Sequence, residues 1–258
     1  MAELIDAVAA IATEAGALAL RRAGEDYRRW EKHAGEPVSD VDLEVDALLR
    51  TRLSALIPEA GWLSEETADN ADRLSCHRLW VVDPIDGTRD FLRGRSGWAV
   101  SVALVEAGQV VLGVLDAPAR GEHWRAVAGG GATRNGVAVR CGDRTVLAGA
   151  RVPFDQLPRE DMDLTIVPKP NSIALRIAMV AADEADLVAT LRWGHEWDIA
   201  AAALIAVEAG ATVSDALGGA LNFNTPSAEA FGVLVSTPGI HAAAIDRLAG
   251  RAKALVGR

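Results

Sequence analysis

The sequence predicts a layered α/β fold, because two kinds of pattern alternate along it. Short apolar runs bounded by turn residues are typical of buried strands, and longer segments repeat their apolar residues at helical spacing. In the second half of the chain strands and helices follow one another, as they do where helices pack in layers on sheets. Of the 258 residues, 50% are apolar and 24% are charged, which is ordinary for a globular domain.

The N-terminal part is predicted to begin with two helices. The first is expected over residues 2–29, and a polar loop is expected over 31–37. The second, capped by Ser39 or Asp40, is expected over 41–56. A short strand that runs into a pair of acids is then predicted over residues 61–66, and further strands are predicted over 79–82, 99–105, 110–115 and 123–127.

A tight hairpin turn is predicted at Asn135-Gly136, since this pair accepts the left-handed backbone that a two-residue turn requires. Beyond the turn, helices are predicted over residues 172–182, 198–208 and 241–255. Strands are predicted over residues 164–167, 185–191, 211–214 and 231–236. We place a soft boundary where the pattern changes and expect an N-terminal unit, 1–139, and a C-terminal unit, 140–258.

Composition excludes several classes of protein. A net charge of −10 argues against binding a nucleic-acid polymer, because affinity for a phosphate backbone comes from clustered Lys and Arg. No stretch approaches eighteen uncharged apolar residues, so no membrane span is expected. The N-terminus lacks the pattern of a signal peptide. Two cysteines, Cys76 and Cys141, have no metal-ligand spacing and fit a reducing cytoplasm, which is the predicted location.

The chemistry is expected at residues 83–88, Asp-Pro-Ile-Asp-Gly-Thr, which follow the apolar strand over 79–82. Proline removes a backbone donor and fixes φ, so we expect the chain to bend there rather than continue the strand. Such a bend can point Asp83 and Asp86 at one hard cation. Thr88 would open the next helix, whose free N–H groups favour an anion. The alternative interpretation is a plain surface turn, because Asp, Pro and Gly are turn residues.

Three more acids lie at the ends of predicted elements. Glu65 closes a strand, Asp42 lies at the start of the second helix, and Asp198 opens a later helix. Each has a structural alternative: Asp42 and Asp198 can be ordinary helix N-terminal acids, and Glu65 with Glu66 can be a solvated pair. Taken together, these acids outnumber the nearby bases, and bound cations would balance them.

Four stretches jointly resemble the signature motifs of the inositol monophosphatase family, a family of metal-dependent, lithium-sensitive phosphatases. Residues 83–88 resemble its first signature, and 196–201 resemble the Trp-Asp-x-Ala-Ala of its second. Residues 63–66 resemble its Glu-Glu motif, and 36–42 resemble its [DS]-x-V-T-x-x-D motif. The four stretches occur in the family's order and extend over most of the chain, so the joint match is specific.

The resemblance implies a layered α-β-α-β-α sandwich of the inositol monophosphatase and fructose-1,6-bisphosphatase type, with the site between its two units. It implies a phosphoric monoester hydrolase in which metal-activated water attacks the ester, with two or three Mg2+ ions per site. The implied metal ligands are Glu65, Asp83, the Ile85 carbonyl, Asp86 and Asp198, with Asp42 for a weaker further ion and Lys32 nearby.

The implied catalytic residues are Glu65, Asp86 and Thr88, of which Thr88 and Glu65 would orient and deprotonate the water. The implied substrate contacts are Gly87, Thr88, Ser172, Arg176 and Asp198. The sequence also departs from the family's pattern at four places: Glu36, Ser39, Asn171 and Arg176. None of the four is an implied metal ligand, so catalysis is expected to survive.

The motif details resemble the 3′(2′),5′-bisphosphate nucleotidase branch more than the inositol enzymes. We therefore expect hydrolysis of 3′-phosphoadenosine 5′-phosphate to AMP and phosphate, with inositol 1-phosphate or histidinol phosphate as alternatives. Trp193 and Trp197 are either stacking surfaces for adenine or core residues, and we favour the core. A catalytically silent scaffold of the same fold is the non-enzymatic alternative. The expected partner is a small phosphorylated metabolite, and the resemblance makes a homodimer one option.

Overall fold

The computed structural model describes residues 1–33 and 36–256. The helices are α1 (Ala2–Arg22), α2 (Asp40–Leu56), α3 (Thr88–Leu92), α4 (Ile173–Ala181), α5 (Glu196–Glu208) and α6 (His241–Val256). The strands are β1 (Arg29–His33), β2 (Glu36–Ser39), β3 (Gly61–Ser64), β4 (Arg78–Asp86), β5 (Ala99–Glu106), β6 (Gln109–Ala117), β7 (Glu122–Val127), β8 (Ala132–Arg134), β9 (Val137–Ala138), β10 (Arg151–Pro153), β11 (Thr165–Val167), β12 (Leu187–His195), β13 (Thr212–Ser214) and β14 (Glu229–Ser236). Across these described residues, no helix has both the length and the apolar character needed to cross a membrane.

The elements stack as five layers in the order α-β-α-β-α. A seven-stranded sheet, β3-β4-β5-β6-β7-β8-β9, carries α1 and α2 on one face and α4 and α5 on the other. A three-stranded sheet, β12-β14-β13, covers the other side of α4 and α5, and α6 packs on its outer face. The predicted fold class and the sandwich implied by the resemblance are both confirmed.

Strand β4 lies at the centre of this arrangement and belongs to two cores at once. Trp80 and Val82 pack under α1 and α2, whereas Leu79 and Val81 pack against the α4–α5 layer. Successive side chains of a strand point to opposite faces, so a strand covered on both sides needs an uninterrupted apolar run. This burial fixes the strand end where the acids begin.

Helix α5 approaches the large sheet closely because both surfaces are made of small residues. A Cβ on Gly113 of β6 would lie 2.6 Å from the carbonyl oxygen of Ala201, so no larger residue fits there. Residues 200–203 are four consecutive buried alanines. The close approach sets the height of α5, and therefore of Asp198 in its first turn, above the sheet.

Most of the predicted elements are confirmed with small changes at their ends. The turn at Asn135-Gly136 is confirmed, with φ of +53° and +77° at its two residues. Gly210 follows the end of α5 with φ of +91°, as a helix-terminating glycine does. The sequence patterns did not predict β1, β2 or β10.

Two predictions in the N-terminal part are wrong. The first helix ends at Arg22 instead of continuing to residue 29, and Gly24, a poor helix former, lies just beyond its end. The polar loop predicted over 31–37 is instead largely an antiparallel hairpin of β1 and β2, with Trp30 opposite Val38. Residues 34 and 35 of that prediction lie outside the described residues.

Pro84 does not end its strand. Strand β4 continues to Asp86, and its pairing with β5 shifts register between Asp83 and Asp86. Proline is tolerated in a strand at such a bulge, because a bulge leaves a backbone group unpaired. The bend expected from the sequence is therefore present as a bulge within the strand. The boundary at 139/140 stays a prediction, and one hydrophobic core containing both Val81 and Ile205 crosses it.

Candidate metal and active site

Three carboxylates converge at the carboxyl end of β4. Asp83 and Asp86 are the bulged end of the strand, and Asp198 is the third residue of α5. One oxygen from each lies within 4.8 Å of the others. The structure thus brings together acids separated by more than a hundred residues in the sequence.

The two strand acids are held in place by backbone and hydroxyl donors. Asp83 Oδ1 accepts a hydrogen bond of 3.0 Å from the N–H of Ile85, which fixes the bulge. Asp86 Oδ2 accepts from Ser172 Oγ at 2.5 Å and from the N–H of Ala174 at 2.8 Å. Asp86 therefore also satisfies free donors at the start of α4, in the manner of a helix cap.

Among the described residues, the basic side chains near this cluster only partly balance its charge. Burial, together with repulsion from Glu65, Asp86 and Asp198, raises the pKa of Asp83 well above its usual value. Burial and the charges of Asp86 and Glu65 raise the pKa of Asp198 to about 8. Buried carboxylates without enough basic partners fit a hard divalent cation, which prefers oxygen ligands. The donor set therefore suits Mg2+.

Glu65 reaches the same site from the end of β3. Its N–H donates to the carbonyl of Val82 at 3.3 Å, and its side chain is within hydrogen-bonding reach of Asp83. Lys32 lies 3.6 Å from Glu65 Oε1 and 2.6 Å from Glu66 Oε1. Burial disfavours the charged form of Lys32, but these carboxylates outweigh it and raise its pKa. The solvated pair that was the alternative for Glu65 and Glu66 is instead a pair bridged by Lys32.

Thr88 links the strand end to α2. Its hydroxyl donates to the Ile85 carbonyl at 3.1 Å and lies 3.4 Å from Asp42 Oδ1. Asp42 is 1% exposed, and its other oxygen accepts from the N–H and hydroxyl of Ser39 at 2.8 and 2.6 Å. Asp42 thus caps α2, as the structural alternative proposed, and also faces the site.

Gly87 turns the chain between β4 and α3 in a place that admits no side chain. Its φ is +97°, and an added Cβ would lie 2.7 Å from the Gly97 carbonyl oxygen and 2.9 Å from the Ser172 nitrogen. Both neighbours are backbone atoms that cannot move aside cheaply. Glycine is therefore required for the backbone conformation and for the close approach of three segments.

Replacing Gly87 by Ala is expected to lower the free energy of unfolding by about 3 kcal/mol, from the left-handed φ and the two overlaps together. Gly94→Ala is the matched control, because Gly94 also has positive φ, +65°, but an added Cβ meets nothing within 4 Å. Urea denaturation of both variants measures the difference. Equal losses would show that the overlap at Gly87 costs nothing beyond the backbone strain.

Two of the predicted substrate contacts have protein partners in the structure. Ser172 is fully buried, donates to Asp86 and accepts from the N–H of Leu175 at 2.9 Å. Arg176 donates from Nε to the Pro170 carbonyl at 2.8 Å and from Nη2 to the Asn171 carbonyl. Ser172 therefore positions Asp86 and starts α4, and a direct contact of either side chain with substrate stays a prediction.

Sequence reasoning missed Asp46, which supports the Glu65 segment. Asp46 is 7% exposed on the inner face of α2 and accepts from Ser64 Oγ at 2.5 Å and Thr67 Oγ1 at 2.8 Å. These bonds hold the chain on both sides of Glu65. The signal was present in the sequence, because Asp46 shares helical spacing with the buried Asp42, Leu49 and Leu53.

The aromatic residues near Asp198 are less buried than expected. The favoured interpretation of Trp193 as a core residue is wrong, since its exposed fraction is 47% and its ring packs edge-on against Phe231. Trp197 is partly buried and stacks on the ring of His195, with centroids 4.2 Å apart. The exposed ring of Trp193 therefore lies on the same face of the sheet as Phe231 of β14. Trp197 is the aromatic residue next to Asp198.

Comparison with known proteins identifies related sequences and folds. The model of the inositol monophosphatase family matches residues 1–256. An inositol-1-monophosphatase of Mesorhizobium japonicum is 36% identical over 205 residues, covering 73% of this chain and 75% of that protein. The 3′(2′),5′-bisphosphate nucleotidase CysQ of Salmonella typhimurium is 31% identical over 209 residues, covering 77% and 83%.

The same relationship is seen among solved structures. The extragenic suppressor protein SuhB from Bartonella henselae superposes with a TM-score of 0.81 at 27% identity, covering 95% of this chain and 98% of that one. The three relatives carry three different names at similar levels of identity. The comparisons therefore establish the protein family and the fold, and they leave the substrate open.

Proposed function

The chain belongs to the inositol monophosphatase family, and on that basis we propose that it is a Mg2+-dependent phosphomonoesterase. Family members are phosphatases that depend on metal and act on small phosphorylated substrates. The observation that carries the proposal is the convergence of Asp83, Asp86 and Asp198 at one strand end, where the basic side chains of the described residues only partly offset their charge.

The proposed ligands of Mg2+ are the three converging carboxylates, Glu65 and the Ile85 carbonyl, with Asp42 for a weaker further ion. When bound, Mg2+ would lower the pKa of a water molecule and offset the negative charge on the leaving oxygen. Glu65, next to Asp83, accepts a proton from the attacking water, and the Thr88 hydroxyl orients that water. The Ile85 carbonyl accepts a hydrogen bond from Thr88 and so holds its hydroxyl in place.

The N–H groups of Gly87 and Thr88 are proposed to bind the phosphate, because the chain turns there into the first turn of α3. Attack by water forms one phosphorus–oxygen bond and breaks the bond to the alcohol oxygen, which takes up a proton from solvent while Glu65 returns its proton to solvent. The alcohol leaves on the side of Asp198, whose carboxylate orients the substrate.

The proposed substrate is 3′-phosphoadenosine 5′-phosphate. Two features support a substrate with a second anionic group and a flat ring: Arg192 is exposed near Asp198, and Trp197, next to Asp198, is partly exposed and stacks on His195. Arg suits oxyanions, and aromatic faces stack on bases. The relationship to CysQ of Salmonella typhimurium, a bisphosphate nucleotidase, supports the same choice.

A phosphate-release assay tests the activity and ranks the substrates. The chain is incubated with 3′-phosphoadenosine 5′-phosphate, inositol 1-phosphate or histidinol phosphate, with Mg2+, with chelator, and with Mg2+ plus Li+. We expect release that requires Mg2+, is inhibited by Li+, and has the highest kcat/KM for the nucleotide. A higher kcat/KM for either other ester would correct the substrate. No release from any of them would favour the catalytically silent scaffold.

A further inference from the structure

Glu196, two residues before Asp198, is a fully buried carboxylate that lies outside the cluster of acids. Its Oε1 accepts from the N–H of Thr225 at 2.8 Å and from the Thr225 hydroxyl at 2.6 Å. Its Oε2 accepts from the N–H of Asn224 at 2.7 Å, and its own N–H donates to the Ala228 carbonyl at 2.9 Å. The first residue of α5 is thereby tied at four points to the loop that precedes β14.

The same loop is tied to the N-terminal part of the chain by Arg73, which is only 2% exposed. Arg73 Nη1 donates to Asn224 Oδ1 at 2.8 Å and to the Thr225 carbonyl at 3.0 Å, and Asn224 Nδ2 donates back to the Arg73 carbonyl at 3.1 Å. Asp69 holds the guanidinium from the other side through two bonds of 2.6 and 2.8 Å. Asn224 has φ of +60°, a conformation that Asn tolerates better than most residues.

These bonds connect two segments that each carry an acid of the site. Asp69 and Arg73 follow Glu65 by four and eight residues, and Glu196 precedes Asp198 by two. Asp83 and Asp86 need no such support, because they end a strand that is buried on both faces. Glu65 follows β3 of the seven-stranded sheet, whereas Asp198 belongs to α5 in the adjacent helical layer. The distance between the two carboxylates therefore depends on the contacts that join these layers.

We propose that Glu196, Asn224, Thr225 and Arg73 form a strap that positions Asp198 relative to Glu65 and the β4 acids, and so sets the affinity of the site for divalent cations. The inference rests on the proposed function only in requiring that the site binds a divalent cation. Groups that orient metal ligands typically change metal affinity 10–100-fold when removed. Glu196 and Arg73 are positioning residues that touch neither metal nor substrate.

The test measures binding of Mn2+ to the metal-free chain by electron paramagnetic resonance, which needs no turnover. Glu196→Gln replaces one acceptor oxygen by a donor that faces N–H groups, and we expect its Kd for Mn2+ to rise by about 10-fold or more. Asn224→Gly keeps the left-handed backbone but loses both side-chain bonds to Arg73. It is expected to raise the Kd in the same direction by a smaller factor.

Glu208→Gln is the matched control. Glu208 ends the same helix, and its two oxygens accept from the N–H groups of Gly129 and Gly131, both at 2.7 Å. The change therefore removes similar bonds at the other end of α5 and should leave the Kd for Mn2+ within about 2-fold of the wild type.

The variants separate positioning from plain stability. If Glu196→Gln and Asn224→Gly lower the Tm as Glu208→Gln does but bind Mn2+ with wild-type affinity, the strap is only structural and the proposal is overturned. Asn224→Gly alone decides the matter if Glu196→Gln does not fold. If the wild-type chain binds Mn2+ but releases no phosphate, the proposed function is wrong. The strap is then still supported by the Kd values of the variants.

Discussion

Replacing Asp86 by Asn is expected to lower kcat for phosphate release by more than about 100-fold while the fold is retained. We expect a loss of this size because removing a group that only orients a metal ligand already lowers metal affinity or activity 10–100-fold, and Asp86 is proposed as a direct ligand. The amide can keep its oxygen on Ser172 and Ala174, so α4 remains capped. Its nitrogen then occupies the remaining position, where it cannot serve a cation as a carboxylate oxygen does.

The stability of Asp86→Asn should change by less than about 2 kcal/mol, since a buried charge and a weak bond to Ile173, 3.3 Å long, are lost together. Burial raises the pKa of Asp86, and the Ser172 hydroxyl and the Arg176 charge only partly oppose this, so the charged form is costly without a cation. Urea denaturation in the absence of Mg2+ measures this change directly.

Asp116→Asn is the control for a buried acid outside the site. Asp116 is 1% exposed on β6, its Oδ1 contacts His123 Nδ1 and Thr13 Oγ1, and burial raises its pKa too. This variant is expected to keep wild-type kcat. Retention of more than a tenth of the activity by Asp86→Asn would remove Asp86 from the proposed metal ligands, and loss of activity in Asp116→Asn would show that any buried acid matters.

The acids at the end of β4 could be predicted because their signal is local. Nine residues contain an apolar run followed by Asp83, Asp86 and Gly87, and this pattern indicates that a buried strand leads into a pair of acids. Helix starts are equally local, so Asp42 and Asp198 could be placed in their first turns. These patterns do not say which of the acids lie close together in the fold. The resemblance to a family indicated that they form one site, which the residues alone left open.

The supporting residues could not be assigned in the same way, because their partners lie far along the chain. Ser172 bonds to Asp86 across 86 residues, and Arg73 bonds to Asn224 across 151. Nothing within a window of ten residues distinguishes Arg73 from a surface arginine. Asp46 is the exception. An acid within the apolar stripe of α2 must be buried, and a buried acid indicates a hydrogen-bond partner even before that partner is identified.

The errors in secondary structure also have a physical origin. Pro84 was expected to end β4, but pairing of Asp83 and Asp86 with β5 continues the strand, and a bulge between them accommodates the ring. The hairpin of β1 and β2 has no apolar alternation to indicate it, because its partners are mostly polar. In both cases tertiary contacts override the local preference.

Removing divalent metal is expected to make the protein progressively less stable as the pH rises. In the unfolded chain Asp and Glu titrate near about 4. In the metal-free fold, burial first and neighbouring carboxylates second raise the pKa of Asp83 and bring that of Asp198 to about 8. Between these values the folded state holds more protons than the unfolded state, so the free energy of unfolding falls with rising pH. The window for Asp198 is from about pH 4 to about pH 8.

Mg2+ should reverse this loss, and the rescue should grow with pH because fewer protons compete for the carboxylates. At a Mg2+ concentration 100-fold above Kd the stabilisation is about 2.7 kcal/mol, which for a chain of this size raises the Tm by roughly 5–10 °C. Thermal unfolding at pH 6 and pH 8, with Mg2+ and with chelator, measures the rescue. The difference between the Tm with Mg2+ and the Tm with chelator at each pH removes the contribution of titratable groups outside the site. His241 is one such group, and burial lowers its pKa.

Two variants separate the cluster from other buried acids. Asp198→Asn removes the group with the raised pKa, so without metal its stability should fall less steeply with pH than that of the wild type, and Mg2+ should raise its Tm much less. Asp116→Asn should keep the full Mg2+ effect, because Asp116 is bound to Thr13 and His123 and not to the cluster. A rescue by Mg2+ that is equal at pH 6 and pH 8 would mean that these carboxylates are already ionised at the lower pH, and the account of an unbalanced buried cluster would then be wrong.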